Sequence, residues 1–458
     1  VPDTDVLIVG AGPTGLLLAN ELQLAGVETV VIDQLPARTG QSKALSLQPR
    51  SAEVLHSRGW LEPIRAYEHT TLPAGHFAGI PLDYSVFDTT FGYQVGVEQG
   101  DVERFLEENL APVRRGVTLT NLVQDENSVI ATVDDGRTIS ARYLVGADGA
   151  HSTVRRLGGF AFPGRDSRIR MVVADITFAR TTTEMADQWE LPNFAGKAGY
   201  LLPLRNGVYR ILFGSEETDA PVELPEVQRA VTAVYGREAI VGEVRWASRF
   251  GDASRQADHY RIGRVLLAGD AAHIHLPSGG QGMNLGLQDA FNLGWKLAAT
   301  VHGTAPDSLL DTYHSERHPV GAAVLANTRA QGILTVPDPD VAALRGIFAD
   351  LLTDPTANRR IAGQISGLDI RYPMPGPAHP LLGTRMPDLK LADGSLFSSH
   401  SHNGQALLLG SPEYQNERDF LRVDADFGAA LVRPDGYVCW VENSAESLED
   451  ARRRWISR

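Results

Sequence analysis

Four apolar residues in a row, Val6 to Val9, run into Gly10-Ala11-Gly12-Pro13-Thr14-Gly15 and then into a leucine-rich stretch ending near Leu22. An unbroken apolar run bounded by glycines fits a strand buried on both faces, and the leucine pattern after it fits a helix. The pattern predicts strand, tight turn and helix. A β-branched run from Thr29 to Asp33 supplies a second short strand that ends in a carboxylate. Helices are expected over 51–57 and 101–110. Strands are expected over 117–123, 128–133 and 138–147, separated by the turn dipeptides Glu126-Asn127 and Asp135-Gly136. This meander would return the chain to the first sheet at Leu144 to Gly146.

Farther along, 171–178, 198–214 and 243–250 alternate and carry aromatics, which predicts an antiparallel sheet. Residues 263–273 repeat the buried-strand signature. From Gly282 to Val301 the spacing becomes that of a long helix, and helical stretches continue to about 366 with a break at 336–340. Near 373 the chain turns proline-rich and reads as a linker. A small C-terminal unit follows, with strands at 405–409, 428–433 and 437–441, the last two flanking the turn signal Pro434-Asp435-Gly436.

Composition narrows the class. At 458 residues the chain exceeds what one core usually supports, so two or three domains are expected. A net charge of −14 without a basic run argues against nucleic acid and anionic membranes as partners. The single cysteine, Cys439, excludes an intramolecular disulfide and a cysteine-based metal cluster. No signal peptide and no membrane span are recognised, so the cytoplasm is the expected compartment.

Three motifs carry the chemistry. Gly10, Gly12 and Gly15 fit G-x-G-x-x-G after a strand and before a helix, where free N–H groups meet a pyrophosphate. Asp33 ends the next strand, where a carboxylate accepts from a ribose hydroxyl. The second motif sets Asp148-Gly149 directly after the apolar strand ending at Gly146, with Ser152, Thr153 and Arg155 opening a helix; Asp148 either caps that helix or serves a ligand. The third ends a buried strand in Gly269-Asp270, followed by Pro277, Gly279, Gly280 and Gly282 at the start of the long helix. An aspartate there can bond a polyol, and a glycine-lined helix N-terminus can face a flat ring and stabilise negative charge on it. NAD needs only the first motif. A cofactor with an adenosine end, a ribityl chain and an anionic ring needs all three, and that cofactor is FAD.

No Ser-His-Asp order, H-E-x-x-H or Walker A pattern is present, and His273 and His275 read as turn residues beside the third motif rather than metal ligands. His318-Pro319 reads as packing. No metal site is expected, and the demanding chemistry falls to the cofactor.

With these motifs, GAGPTG with Asp33, GADG at 146–149 and GDAAHIHLPSGGQGMN at 269–284, the chain resembles the group A flavoprotein monooxygenases, single-component aromatic hydroxylases of the p-hydroxybenzoate hydroxylase-like fold. The resemblance covers residues 5 to about 440 and is nearest to the branch of aromatic polyketide hydroxylases and rifampicin monooxygenase. HPLLGTRMPDL at 379–389 and RPDGYVCW at 433–440 are similar to that branch's thioredoxin-like tail, although 405–427 is short for a complete thioredoxin-like fold.

The resemblance implies an α/β fold: a Rossmann-like FAD-binding domain of glutathione-reductase type (1–75, 97–170 and 259–330) with an inserted antiparallel-sheet substrate domain (76–96 and 171–258). A helical segment (331–375) and a small thioredoxin-like domain (380–458) complete it. It implies that Gly10, Gly12, Gly15 and Asp33 hold the ADP half, with Pro13, Thr14, Gln34 and Leu122 also binding the cofactor. Gln99 touches the ribityl–phosphate region, Asp148 and Gly149 serve FAD or NAD(P)H, and Asp270 binds the ribityl or pyrophosphate part. Lys43, Ala44, Gly280, Gly282, Met283 and Asn284 face the ring. Pro277, Gly279 and Gly280 shape the oxygen environment, with no side-chain base assigned. His76, Phe77, Tyr84, Tyr200 and Phe213 are candidates for lining a flat polycyclic substrate.

The implied reaction consumes NADPH or NADH and O₂ and hydroxylates an electron-rich ring through a flavin C4a-hydroperoxide. No second G-x-G-x-x-G follows a strand, so the nicotinamide docks transiently. The same fold supports two alternatives, hydroxylation of a preformed antibiotic and Baeyer–Villiger insertion. A halogenase would need W-x-W-x-I-P, which is absent, and a non-catalytic prenyl-GTPase escort would not need the cradle from Asp270 to Asn284. A monomer or homodimer is expected. Because every cofactor motif precedes residue 380, the tail is expected to be dispensable for flavin chemistry.

Overall fold

The computed structural model describes residues 2–72, 74–181, 199–215, 220–376 and 379–456, with only the backbone of Gly199 and Tyr200. Its central sheet places Thr4–Val9 between two parallel neighbours, Thr29–Asp33 and Thr138–Gly146. Val265–Leu267 and Arg114–Arg115 extend it in parallel on either side. Val6, Leu7 and Ile8 are fully buried, as an apolar run covered on both faces requires. The meander of Leu119–Gln124 and Val129–Val133 branches antiparallel from Thr138–Gly146, as the turn dipeptides predict.

The helices Pro13–Leu24 and Gly282–Val301 pack against each other on this sheet. The long helix begins and ends where its spacing predicts. Every residue from Met283 to Val301 is buried, so its Asp289, Asn292 and Lys296 must find partners inside the protein.

The inserted sheet is antiparallel, in the order Gly199–Pro203, Val208–Gly214, Arg170–Arg180, Ile240–Gly251. Residues 199–214 are thus two strands around the turn Arg205–Gly207. A helix that the alternation does not announce, Leu224–Tyr235, covers one face with Val227, Val231 and Tyr235.

Residues 76–96 do not join this sheet. Ala74–Phe77 and Ile80–Asp83 form a separate hairpin, while Gln94–Gly96 pairs with Thr70–Leu72. The hairpin packs on the helices Pro339–Leu351 and Pro355–Ser366 through Phe77, Leu82, Phe348 and Ile365. Phe77 lies over Phe348 with ring centroids 6.1 Å apart.

The C-terminal unit orders its strands Phe420–Arg422, Leu407–Gly410, Ala430–Val432, Val438–Val441. Phe420–Arg422 runs parallel to Leu407–Gly410, a pairing the sequence reading lacks. The proline-rich stretch before this unit is no free linker. Arg371 pairs with Thr384, and Tyr372 is buried with its ring 4.2 Å from that of Tyr437.

A buried ionic cluster joins this unit to the first domain. Arg433 binds Glu316 through two bonds of 2.6 and 2.9 Å and Asp435 through bonds of 3.0 and 2.5 Å. Glu316 also accepts from Lys296 and from Asn292, each at 2.7 Å. Burial alone would raise the Glu316 pKa, but Arg433 and Lys296 outweigh it and hold the carboxyl down to about 2.

A carboxyl depressed in the folded state stabilises the fold above its unfolded pKa and loses that contribution as the pH falls toward the folded value. Thermal midpoints measured from about pH 5 to about pH 2.5 should therefore fall more steeply in the wild type than in Glu316→Gln. Parallel slopes would remove Glu316 from the account of acid stability.

Candidate cofactor and substrate site

The three motifs meet at the carboxyl ends of the parallel strands, where open α/β sheets bind ligands. Ala147 N–H donates to Val9 O and Ala268 N–H to Gly146 O, at 2.8 and 2.9 Å, which brings the strand ends into line. Gly10 has φ of +110°, and a Cβ there would be driven into the Ala147 carbonyl. A Cβ on Gly15 would run into Gly10 O, so this glycine lets the helix close on the turn. Gly12 meets nothing within 4 Å. It borders the open space a pyrophosphate would fill, beside a helix start that no side chain caps.

Asp33 Oδ2 accepts from Ala11 N–H at 2.7 Å and Oδ1 from Leu35 N–H at 2.8 Å. The carboxylate thus holds the glycine turn, and each oxygen keeps capacity for a ribose hydroxyl. Gln34 is exposed beside it, whereas the side chains of Leu122 and Met283 belong to the core. Those two residues can offer a ligand only backbone. Pro13 and Thr14 are half-buried at the helix start. A Cβ on Gly269 would stand 2.7 Å from Thr14 Oγ1, which places the third motif against the first.

Asp148 accepts from Ser152 Oγ at 2.5 Å, Thr153 N–H at 2.7 Å and Val154 N–H at 3.0 Å. It caps the helix Thr153–Leu157, the plainer of its two expected roles. Burial raises its pKa against the lowering by these bonds. Gly149 borders open space. Arg155 donates to Ala271 O and to Ala150 O, each at 2.8 Å, and so ties the second motif to the third.

Asp270 is exposed on the single turn Gly269–Ala271. Beneath it, Gly269 N–H donates to Asp289 Oδ2 at 3.1 Å, and Asp289 is held by Arg317 and His273 at 2.7 Å each. Burial raises the Asp289 pKa, but Arg317 and His273 outweigh it and leave it lowered. Asp270→Ala should therefore leave the thermal midpoint unchanged while weakening FAD binding by about 1.5–3 kcal/mol, the worth of a hydrogen bond to a charged group. Titration of FAD-free protein checks this, and unchanged affinity would separate Asp270 from the cofactor.

The residues expected to face the ring sit on two loops, 43–48 and 277–280, that face each other across a slot joined by Asn284. Lys43 is exposed and Ala44 half-buried in one wall, where Ala44 N–H donates to Gln99 Oε1 at 3.2 Å and Gln99 N–H to Ala44 O at 3.0 Å. The other wall is Pro277–Gly280, where Gly279 and Gly280 have φ of 71° and 63°. Asn284 bridges the walls: it accepts from Gln48 N–H at 2.8 Å and donates to Gly280 O at 2.8 Å and Ser46 O at 3.1 Å. Gln48 donates to Gly279 O at 2.8 Å. A Cβ on Gly282 would meet only the His275 ring, 3.9 Å away, and no side chain caps the start of the long helix. Among the described residues no His, Cys, Asp and Glu group is arranged to hold a metal.

The substrate candidates separate. His76 is half-buried, and its Nδ1 accepts from Gly79 N–H at 3.1 Å. Phe77 and Tyr84 are core residues, the Tyr84 hydroxyl donating to Gln48 Oε1 at 3.0 Å. Phe213 is buried with Val172 and Ile176 under the helix Leu224–Tyr235. Tyr200 pairs with Leu212 in the sheet, and its side chain lies outside the described residues.

Among the described residues of this sheet, Arg210 reaches the loop that carries Lys43 and Ala44. It is buried, paired with Asp175 at 2.7 and 2.8 Å, and donates to the carbonyls of Ser42 and Lys43. An alternating strand containing one arginine was its only sequence signal.

Residues 3–328 match the FAD binding domain family and residues 413–458 the C-terminal region of aromatic-ring hydroxylases. The chain is 44% identical to a 12-dehydrotetracycline 5-monooxygenase/anhydrotetracycline 6-monooxygenase of Streptomyces rimosus, covering 99% of this chain and 98% of that one. It is 42% identical, with the same coverage, to a rifampicin monooxygenase of Streptomyces venezuelae. The solved structure of an aromatic hydroxylase from angucycline biosynthesis matches with a TM-score of 0.90, 40% identity and 100% of each chain.

The chain therefore belongs to the FAD-binding flavoprotein monooxygenases. Within them it falls in group A, in the branch that contains the aromatic polyketide hydroxylases and rifampicin monooxygenase.

Proposed function

We propose that this enzyme consumes NAD(P)H and O₂ to hydroxylate a polycyclic aromatic polyketide. The observation that carries the reading is the alignment of three motifs from Asp33 to Gly282, with open space at Gly12 and Gly149 and an uncapped helix start at Gly282. Its donors suit FAD. Bound FAD supplies the redox chemistry, accepting reducing equivalents from the nicotinamide and activating O₂ to deliver one oxygen atom to the ring.

The chain's own residues do the rest. The uncapped N-terminus of Gly282–Val301 favours negative charge on the ring. Gln48 and Asn284 fix the carbonyls of Gly279 and Gly280 and with them the slot's width. Phe77, Tyr84 and their neighbours keep water from the slot's flank. Arg210 sets the position of the Ser42-Lys43 backbone.

The substrate lies between the inserted sheet and the 74–83 hairpin, with His76 as its nearest titratable neighbour from the hairpin. NAD(P)H docks transiently. The domain plan is a Rossmann-like, glutathione-reductase-type domain with an inserted substrate sheet and a small thioredoxin-like tail. The protein works in the cytoplasm as a monomer or homodimer. Antibiotic inactivation and Baeyer–Villiger insertion use the same cradle.

Heat-denatured protein should release FAD rather than FMN, and a panel of tetracyclines, angucyclines and rifamycins should yield a product heavier by one oxygen. Protein that binds no FAD on reconstitution would overturn the reading.

A further inference from the structure

The tip of the hairpin Ala74–Asp83 is the two-residue turn Ala78-Gly79, with φ of 51° and 81°. Turns with both central residues at positive φ favour Asn-Gly, and an alanine in the first place is strained. Ala78 is nevertheless buried, 3% exposed, and both its peptide groups are occupied from outside the hairpin. Its N–H donates to Gln331 Oε1 at 2.9 Å, and its carbonyl accepts from Arg345. The surroundings hold a conformation that the local sequence does not favour.

Gln331 continues toward the slot. Its Nε2 donates to Asn327 Oδ1 at 2.7 Å, and the same oxygen accepts from Gln281 Nε2 at 3.4 Å. Gln281 also donates to Ser278 O at 3.4 Å. A Cβ on Gly279 would lie 3.4 Å from Gln331 Nε2, so this amide stands directly behind the ring-facing loop. A second chain closes the circuit from the hairpin's base, where Tyr84 donates to Gln48 and Gln48 to Gly279 O. Gln331, Asn327 and Gln281 are buried, so each bond is shielded from competing water.

We propose that Gln331 is a positioning residue that locks the tip of the substrate-side hairpin to the ring-facing loop Ser278–Gly280 through one relay of side-chain amides. The hairpin and the loop then move as one body, and the distance between a ring on the loop and a substrate against the hairpin is held from behind. This rests on the cofactor and substrate placement proposed above, whereas the coupling between hairpin and loop does not need either ligand to be present.

The test uses Gln331→Leu and Gln331→Glu in the full chain. Glutamate keeps the acceptor for Ala78 N–H but sets a second acceptor against Asn327 Oδ1. Amide hydrogen exchange in FAD-free protein should accelerate at least ~10-fold at Ala78 and at 278–281 in Gln331→Leu, each broken bond being worth about a factor of ten. In Gln331→Glu it should accelerate at 278–281 alone. In FAD-loaded protein both variants should shift the flavin absorption band and form several-fold less product per NAD(P)H oxidised.

Exchange that rises only at Ala78 in both variants would overturn the relay and leave Gln331 as a support of the hairpin. Unchanged exchange in Gln331→Leu would overturn it outright. If the wild type binds no FAD, the functional reading fails, while the exchange experiment still decides the relay.

Discussion

Replacing Arg433 by methionine is expected to destabilise the protein by about 3–5 kcal/mol, because removing one partner leaves the other buried charges uncompensated. Glu316 and Asp435 are both essentially inaccessible, and Arg433 is boxed by the rings of Trp295 and Trp455 at 5.1 and 5.0 Å. Methionine keeps much of the volume, so the loss reports charge rather than a cavity. Lys296 remains beside Glu316, but burial lowers its pKa to about 8 against the pull of that carboxylate, so it is a weaker partner than arginine. Combining Arg433→Met with Glu316→Gln should recover part of the loss in a denaturant titration; strict additivity would mean that the two residues do not act as a pair.

The same geometry revises the expectation that the tail is dispensable. Arg50 and Arg58 donate to the Asp435 and Pro434 carbonyls at 2.8 and 2.9 Å, and Arg58 is bound to buried Glu21 at 2.8 Å. Cutting the chain near 380 strips partners from the helices that carry the cradle. The truncated protein should be insoluble or lack FAD.

The second large effect is a contrast between two neighbouring glycines. Gly10→Val sets a β-branched side chain at φ +110° against the Ala147 carbonyl and should prevent folding. Gly12→Val meets nothing within 4 Å and lies at φ −82°, so the FAD-free protein should melt within a degree or two of the wild type. Its side chain would occupy the space assigned to the pyrophosphate, and FAD affinity should fall by ~100-fold or more, about 2.7 kcal/mol. Gly12→Val protein that binds FAD normally would place the phosphates elsewhere.

The elements read correctly from sequence are those whose pattern is local. The Val6–Val9 run and the Gly282–Val301 helix are fixed by their own periodicity, and the glycine motifs by their spacing. What stayed hidden depends on distant partners. Glu316 and Arg433 look like ordinary surface residues until the fold brings them together, and nothing local marks Gln48 or Gln331 as ends of a relay. The helix Leu224–Tyr235 has apolar residues at Val227, Val231 and Tyr235, a signal overshadowed by the strands around it. A period of two separates the faces of a strand without saying which one a helix covers, so nothing local puts Phe213 under Leu224–Tyr235. Asp33 and Asp148 show a further limit. Sequence identifies both carboxylates at the right strand ends and allows Asp148 to cap a helix, but not that backbone N–H groups occupy part of the capacity of Asp33.

The central claim, that this cradle supports oxygen transfer, is tested most directly by running the reaction under ¹⁸O₂ with a polycyclic polyketide that the enzyme converts. The account predicts one heavy oxygen in the product and the other in water, with the carbon skeleton intact for hydroxylation or expanded to an ester or lactone for insertion. Product oxygen drawn only from H₂¹⁸O, with all O₂ recovered as hydrogen peroxide, would make the enzyme an oxidase or dehydrogenase and contradict the account.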